Sequence, residues 1–96
     1  MAQLPTLEEV KHRLTSEGYV KVYDWYDQPE SEYEEHSHPT ETIVYVVEGS
    51  MDIHLPNGHA LLGPGSSQLI PAGVEHTTLV GKDGCQYVLG EKPTTT

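Results

Sequence analysis

The run Glu35-His36-Ser37-His38-Pro39-Thr40-Glu41-Thr42, continued by Ile43-Val44-Tyr45-Val46-Val47, decides how this chain is read. On an extended backbone alternate side chains share a face, so His36 and His38 point together and Ser37 points away. Two imidazoles placed in that way offer two of the donors that a metal ion needs. A third is expected from His76, just past the turn residues Pro71-Ala72-Gly73. From Thr42 to Glu48 nearly every residue is β-branched or aromatic, which reads as a strand buried on both faces.

Downstream of this strand, Glu48-Gly49-Ser50 is expected to turn into Met51 to Leu55, where Met51, Ile53 and Leu55 alternate with Asp52 and His54. Asn57-Gly58 is the strongest hairpin signal, since a two-residue loop with positive φ suits both residues, and His59 to Leu62 is the expected return strand. Gly63-Pro64-Gly65 ends it. Gln68 to Ile70, His76 to Val80 and Gln86 to Leu89 read as further strands, the last two joined by a turn at Lys82-Asp83-Gly84.

Upstream, Thr6-Leu7-Glu8-Glu9 forms a capping box, and Leu7, Val10 and Leu14 recur at helical spacing. A helix is predicted from Leu7 to Ser16, stopped at Glu17-Gly18 and covering one face or opening of the β-structure. Tyr19 to Tyr26 alternates as a strand and is broken by Asp27-Gln28-Pro29. A second extended segment then runs through Tyr33 into the histidines. Seven or eight short strands with one helix at the start give an all-β class, a small β-barrel or double-sheet sandwich. The expected organisation is a single domain over residues 1–96, with a helical segment at 1–18, the barrel at 19–91 and a flexible tail at 92–96.

Fifteen acidic residues against five basic ones give a formal charge of −10, and Arg13 is the sole arginine. Such a field repels phosphate backbones and anionic lipid, so neither nucleic acid nor membrane is an expected partner. The acidic stretch from Glu30 to Glu35 reads as a solvated edge. Cys85 has no partner cysteine and reads as a small buried thiol. With no leader-like segment and no long apolar span, a cytoplasmic setting is expected. His12, His54 and His59 fall on a helix, out of phase on a strand and at a hairpin, and read as exposed side chains rather than ligands.

In its histidine and glycine spacing the chain resembles the cupin family, small jelly-roll barrels that commonly hold a metal. His36, His38 and Gly49 fall at the separations of the family's first motif, and Gly65, Pro71, Gly73 and His76 fit the second without adjustment. The resemblance implies a cupin-type jelly-roll β-barrel with His36, His38 and His76 as metal ligands. One position departs: Thr42 stands where the family has a ligand glutamate, and Glu41, one residue early, belongs to the opposite face of a regular strand. Thr42 is expected inward, and Glu41 is a candidate fourth ligand only if a bulge near Pro39-Thr40 turns it in.

The resemblance further implies a divalent cofactor (zinc, nickel, copper, iron or manganese) and a small-molecule ligand. It also implies a homodimer of the bacterial small-cupin type. Three neutral imidazoles leave the ion its full double charge, which favours zinc, nickel or copper over ferrous iron. The expected pocket wall is Thr42, Val44, Val46, Met51, Ile53 and Thr78, with Tyr23, Trp25, Tyr45 and Tyr87 as candidate additions. An outward apolar face of Ile43, Tyr45 and Val47 is the expected dimer surface. Two functions stay open: a metalloenzyme acting on a small organic substrate (dioxygenase, isomerase or hydrolase-type), and a non-catalytic module that binds or senses a small ligand. No catalytic residue is assigned beyond the ligands.

Overall fold

The fold is known from a computed structural model, which describes residues 4–92. It consists of α1 (Leu7–Ser16), β1 (Lys21–Asp27), β2 (Glu32–His36), β3 (Glu41–Leu55), β4 (Gly58–Leu62), β5 (Ser67–Ile70) and β6 (His76–Lys92). The helix begins where the capping box predicts: Thr6 Oγ1 accepts from the Glu9 amide at 3.2 Å, and Glu9 Oε1 accepts from the Thr6 amide at 2.8 Å. The part of the predicted tail at residues 93–96 lies outside the described residues, while Lys92 ends β6.

The two long strands, β3 and β6, pair antiparallel along their whole length and form a spine. One half of the spine is flanked by β1, on β6, and by β5, on β3. The other half is flanked by β2, on β6, and by β4, on β3. Between the halves the register slips on either side of Gly49. A single buried cluster then draws on both halves, with Val44, Ile70 and Tyr87 from one meeting Met51, Ile53, Leu62 and Val80 from the other. The two half-sheets therefore enclose a common core.

Three expectations are corrected here. Glu48-Gly49-Ser50 and Lys82-Asp83-Gly84 do not turn; each lies inside one continuous strand, so six strands replace the expected seven or eight. The signal was real but served a bend: Gly49 and Gly84 have φ of +80° and +78°, and a Cβ on Gly49 would stand 2.0 Å from the Gly84 carbonyl oxygen. Only glycine lets the spine cross itself so closely. The hairpin loop is Pro56-Asn57 rather than Asn57-Gly58, because Leu55 pairs with Gly58. Proline's fixed φ suits the first loop position, and Asn57 has no positive φ, which the expected turn requires.

The outward apolar face is also corrected. Ile43, Tyr45 and Val47 lie under α1, where Tyr45 joins Val10, Leu14, Tyr19 and Val88 in a second buried cluster. The Arg13 guanidinium donates to the Tyr45 hydroxyl at 3.4 Å, and Lys11 pairs with Asp24 at 3.1 Å across the helix–sheet seam. The helix covers the face on which the dimer argument stood, and Tyr45, alternating with Val44 and Val46 along β3, lies on that face rather than in the cavity.

Candidate metal centre

β2 ends at His36 and β6 begins at His76, and the two are direct partners in the antiparallel ladder. His38 comes two residues later, and its carbonyl accepts the Gly73 amide at 2.8 Å, which ties the histidine pair to the turn before His76. The ring centroids of His36 and His76 are 4.3 Å apart, and each lies 5.1 Å from that of His38. A donor nitrogen from each ring falls within 4.8 Å of the others.

The backbone fixes two of the tautomers. His36 Nδ1 lies 2.8 Å from the Glu34 carbonyl and His76 Nδ1 lies 3.0 Å from the Val74 carbonyl. A carbonyl only accepts, so in both rings Nδ1 carries the proton and Nε2 keeps its lone pair. Such an anchor both orients a ligating imidazole and raises its basicity. Burial lowers the pKa of His76; the Val74 hydrogen bond opposes this and His36 adds to it. Burial likewise lowers His38, with His76 and His36 adding to the effect, while Glu91 pulls it up. Both rings are thereby biased towards the neutral, donor form. Two anchored rings and a third beside them fit a borderline divalent ion with positions left open.

Thr42 and Glu41 differ in where their side chains go. Thr42 is 1% exposed, and its hydroxyl donates to the Thr40 carbonyl at 3.1 Å. Glu41 pairs in register with Lys92 and acts electrostatically on Tyr19, on the helix side of the sheet, outside the histidine group.

The histidines open on a cavity of about 270 Å³. Val44, Met51, Ile53 and Thr78 line it, whereas Thr42 and Val46 are buried and are not among its lining residues. Tyr23, Trp25 and Tyr87 line it; Tyr45 does not. Neither lysine nor arginine is among the lining residues.

Asp27 was legible only as a strand breaker, yet it organises the aromatic wall. Its carboxylate is 7% exposed and accepts from Trp25 Nε1 at 3.0 Å, from the Tyr87 hydroxyl at 2.6 Å and from the Tyr33 hydroxyl. Burial, reinforced by Asp27, raises the pKa of both tyrosines. Tyr33, 6.2 Å from His36 between ring centroids, joins this wall and was not anticipated. Behind it Cys85 is buried, its thiol pushed up to about 12 by burial and by Asp27, as suits a structural residue.

The family model for a cupin domain matches residues 23–89, which takes in most of β1, all of β2 to β5 and most of β6. The chain belongs to the cupin family. Its fold is similar to that of a cupin-2 domain protein from Shewanella frigidimarina NCIMB 400, with 28% identity and a TM-score of 0.60 over 76% of this chain and 68% of that one. It is similar to a chain from the crystal structures of the DMSP lyases RdDddP and RnDddQII, at 27% identity and a TM-score of 0.71, over 76% of this chain but 38% of the other. The polyketide cyclase RemF from Streptomyces resistomycificus matches at 28% identity and a TM-score of 0.63, over 75% of this cupin and 54% of that chain. This cupin thus spans about two fifths to a half of those two enzyme chains. No curated protein matches the sequence.

Proposed function

We propose that this cupin is a metal-dependent enzyme acting on a small organic molecule, with His36, His38 and His76 as the metal ligands. One observation carries the reading: three imidazoles meet in the lining of a cavity, and two of them have Nδ1 tied back to the chain with Nε2 free. When bound, a divalent ion on these neutral imidazoles would supply Lewis acidity, and zinc in particular would lower the pKa of its bound water to about 7.

The chain's own residues define the rest. Val44, Met51, Ile53, Ile70 and Leu89 exclude water from the inner wall. Asp27 holds Trp25, Tyr33 and Tyr87 rigid on the other side. With no lysine or arginine in the lining and a charge of −10 on the chain, a polyanionic ligand is disfavoured. A small neutral or singly charged ligand, with an oxygen turned to the histidines, suits the cavity. That similar structures include proteins named as lyases and a cyclase supports an enzymatic reading.

A binding module is the second reading, and one feature favours it. Trp25, Tyr33 and Tyr87 all spend their polar tips on Asp27, and Tyr23 donates to Glu91 at 3.2 Å, which leaves the wall few groups to move a proton. The experiment that separates the two is incubation of metal-loaded protein with a cellular small-molecule extract, followed by mass spectrometry. Compounds that disappear with new ones formed, in the wild type but not in His76→Ala, support the enzyme. A compound retained unchanged on the protein supports the binder.

A further inference from the structure

A second set of donors stands on the outer face of the β3–β4 hairpin. Met51 and Ile53 line the cavity, so Asp52 and His54 project from the opposite face of β3. The hairpin register then sets His59 directly across from His54. His59 Nδ1 lies 2.9 Å from Asp52 Oδ1, and His54 Nε2 lies 3.4 Å from Asp52 Oδ2. The two rings are stacked 5.2 Å apart at 13°, and one donor atom from each of the three residues falls within 4.8 Å of the others.

A bound of 4.8 Å between donors is short enough for one ion to draw all three to itself with small side-chain shifts. With metal–ligand bonds of about 2.0–2.2 Å, two tetrahedral ligands stand about 3.4 Å apart. All three residues sit on paired strands, so little chain must be ordered to close the site. We propose that Asp52, His54 and His59 form a second, solvent-facing site for a borderline divalent transition-metal ion, independent of the cavity histidines.

The donor chemistry names the class. Two imidazoles and one carboxylate suit copper, zinc or nickel, with copper(II) held most tightly, whereas calcium and magnesium require more oxygen donors than the hairpin provides. One carboxylate leaves a bound ion a net charge of +1, and the strongly acidic chain raises the local cation concentration. The side chains of His54 and His59 are 54% and 58% exposed, so the remaining coordination positions face solvent and the ion stays exchangeable.

Each of these histidines looks exposed when taken alone, and their meeting depends on a one-residue shift of the loop, which moves the partner of His54 by two. A loop at Asn57-Gly58 would have set His54 against Leu61, and the loop at Pro56-Asn57 sets it against His59.

The test is calorimetric titration of the full chain with copper(II) and with zinc, alongside His54→Ala/His59→Ala and His36→Ala/His38→Ala. The expected result is two ions per chain in the wild type and loss of one in each double variant. Because the cavity variant alters partly buried residues, a second readout leaves the cavity histidines intact. With copper(II) added, paramagnetic broadening of amide signals is expected at a patch centred on residues 52–59, and Asp52→Asn weakens it. An unchanged ion count in His54→Ala/His59→Ala, or broadening confined to the segments around residues 36–38 and 76, overturns the proposal and leaves a surface trio with one hydrogen bond, His59 to Asp52.

Discussion

Replacing Asp27 with alanine removes the acceptor of three hydrogen bonds at one stroke, and the structure says which of them matters. Trp25 and Tyr33 are 53% and 38% exposed, so their donors turn to water at little cost. Tyr87 is 6% exposed, and its hydroxyl has Asp27 Oδ2 as its partner at 2.6 Å. Stranding a buried donor costs about 1–3 kcal/mol, and a bond to a charged acceptor contributes about 1.5–3 kcal/mol, the two figures overlapping in one loss. Adding a few tenths for each exposed bond gives about 3 kcal/mol for Asp27→Ala. The assay is urea denaturation of the wild type, Asp27→Ala, Tyr87→Phe and the double variant. Since the tyrosine loses its purpose once the acceptor is gone, the cycle should show a coupling of about 1–2 kcal/mol. A cost below about 1 kcal/mol for Asp27→Ala, or a coupling near zero, would refute the claim that Asp27 holds the wall.

Further outcomes test other parts of the molecule. Gly49→Ala places a Cβ 2.0 Å from the Gly84 carbonyl oxygen at positive φ, and should cost about 2–4 kcal/mol from left-handed strain plus overpacking. Gly63→Ala, with nothing within 4 Å, should be nearly neutral in the same denaturation assay. Cys85, with its thiol near 12, should resist a thiol reagent at about pH 8 until urea unfolds the chain, and rapid native labelling would contradict its burial. In metal-free protein His38 and His76 titrate below their ordinary value of 6.5, so the unfolded chain binds more protons in that window. Stability should therefore be level above about pH 7 and fall as pH drops through about 6.5, and His38→Ala/His76→Ala should flatten the slope.

What the sequence disclosed, it disclosed through local chemistry. The helix was legible because its capping box and its Leu7, Val10 and Leu14 stripe are written within ten residues. The histidine trio was legible because two spacings place His36, His38 and His76 near one another. What it hid depends on pairing between distant strands. Gly49 and Gly84 look like turns until β3 and β6 are known to cross there. Asp27 looks like a strand end until Asp27 and Cys85 prove to be partners in the ladder and bring it against Tyr87. The face of Ile43, Tyr45 and Val47 looks like an interface until α1 covers it. His54 and His59 look unrelated until the Pro56-Asn57 loop sets them opposite. In each case the residue type carried a true signal, and the partner that gave it meaning lay elsewhere in the chain.

The central claim is that three histidines hold the cavity ion, and X-ray absorption at the metal edge tests it most directly. The sample is untagged protein carrying His54→Ala/His59→Ala, so that only the cavity ion contributes. The expected spectrum is that of an ion with three imidazole ligands at about 2.0–2.1 Å and lighter oxygen neighbours, lost or reduced to two imidazoles in His76→Ala. A sample that holds no metal even when metal is supplied, or a spectrum that His76→Ala leaves unchanged, would contradict it.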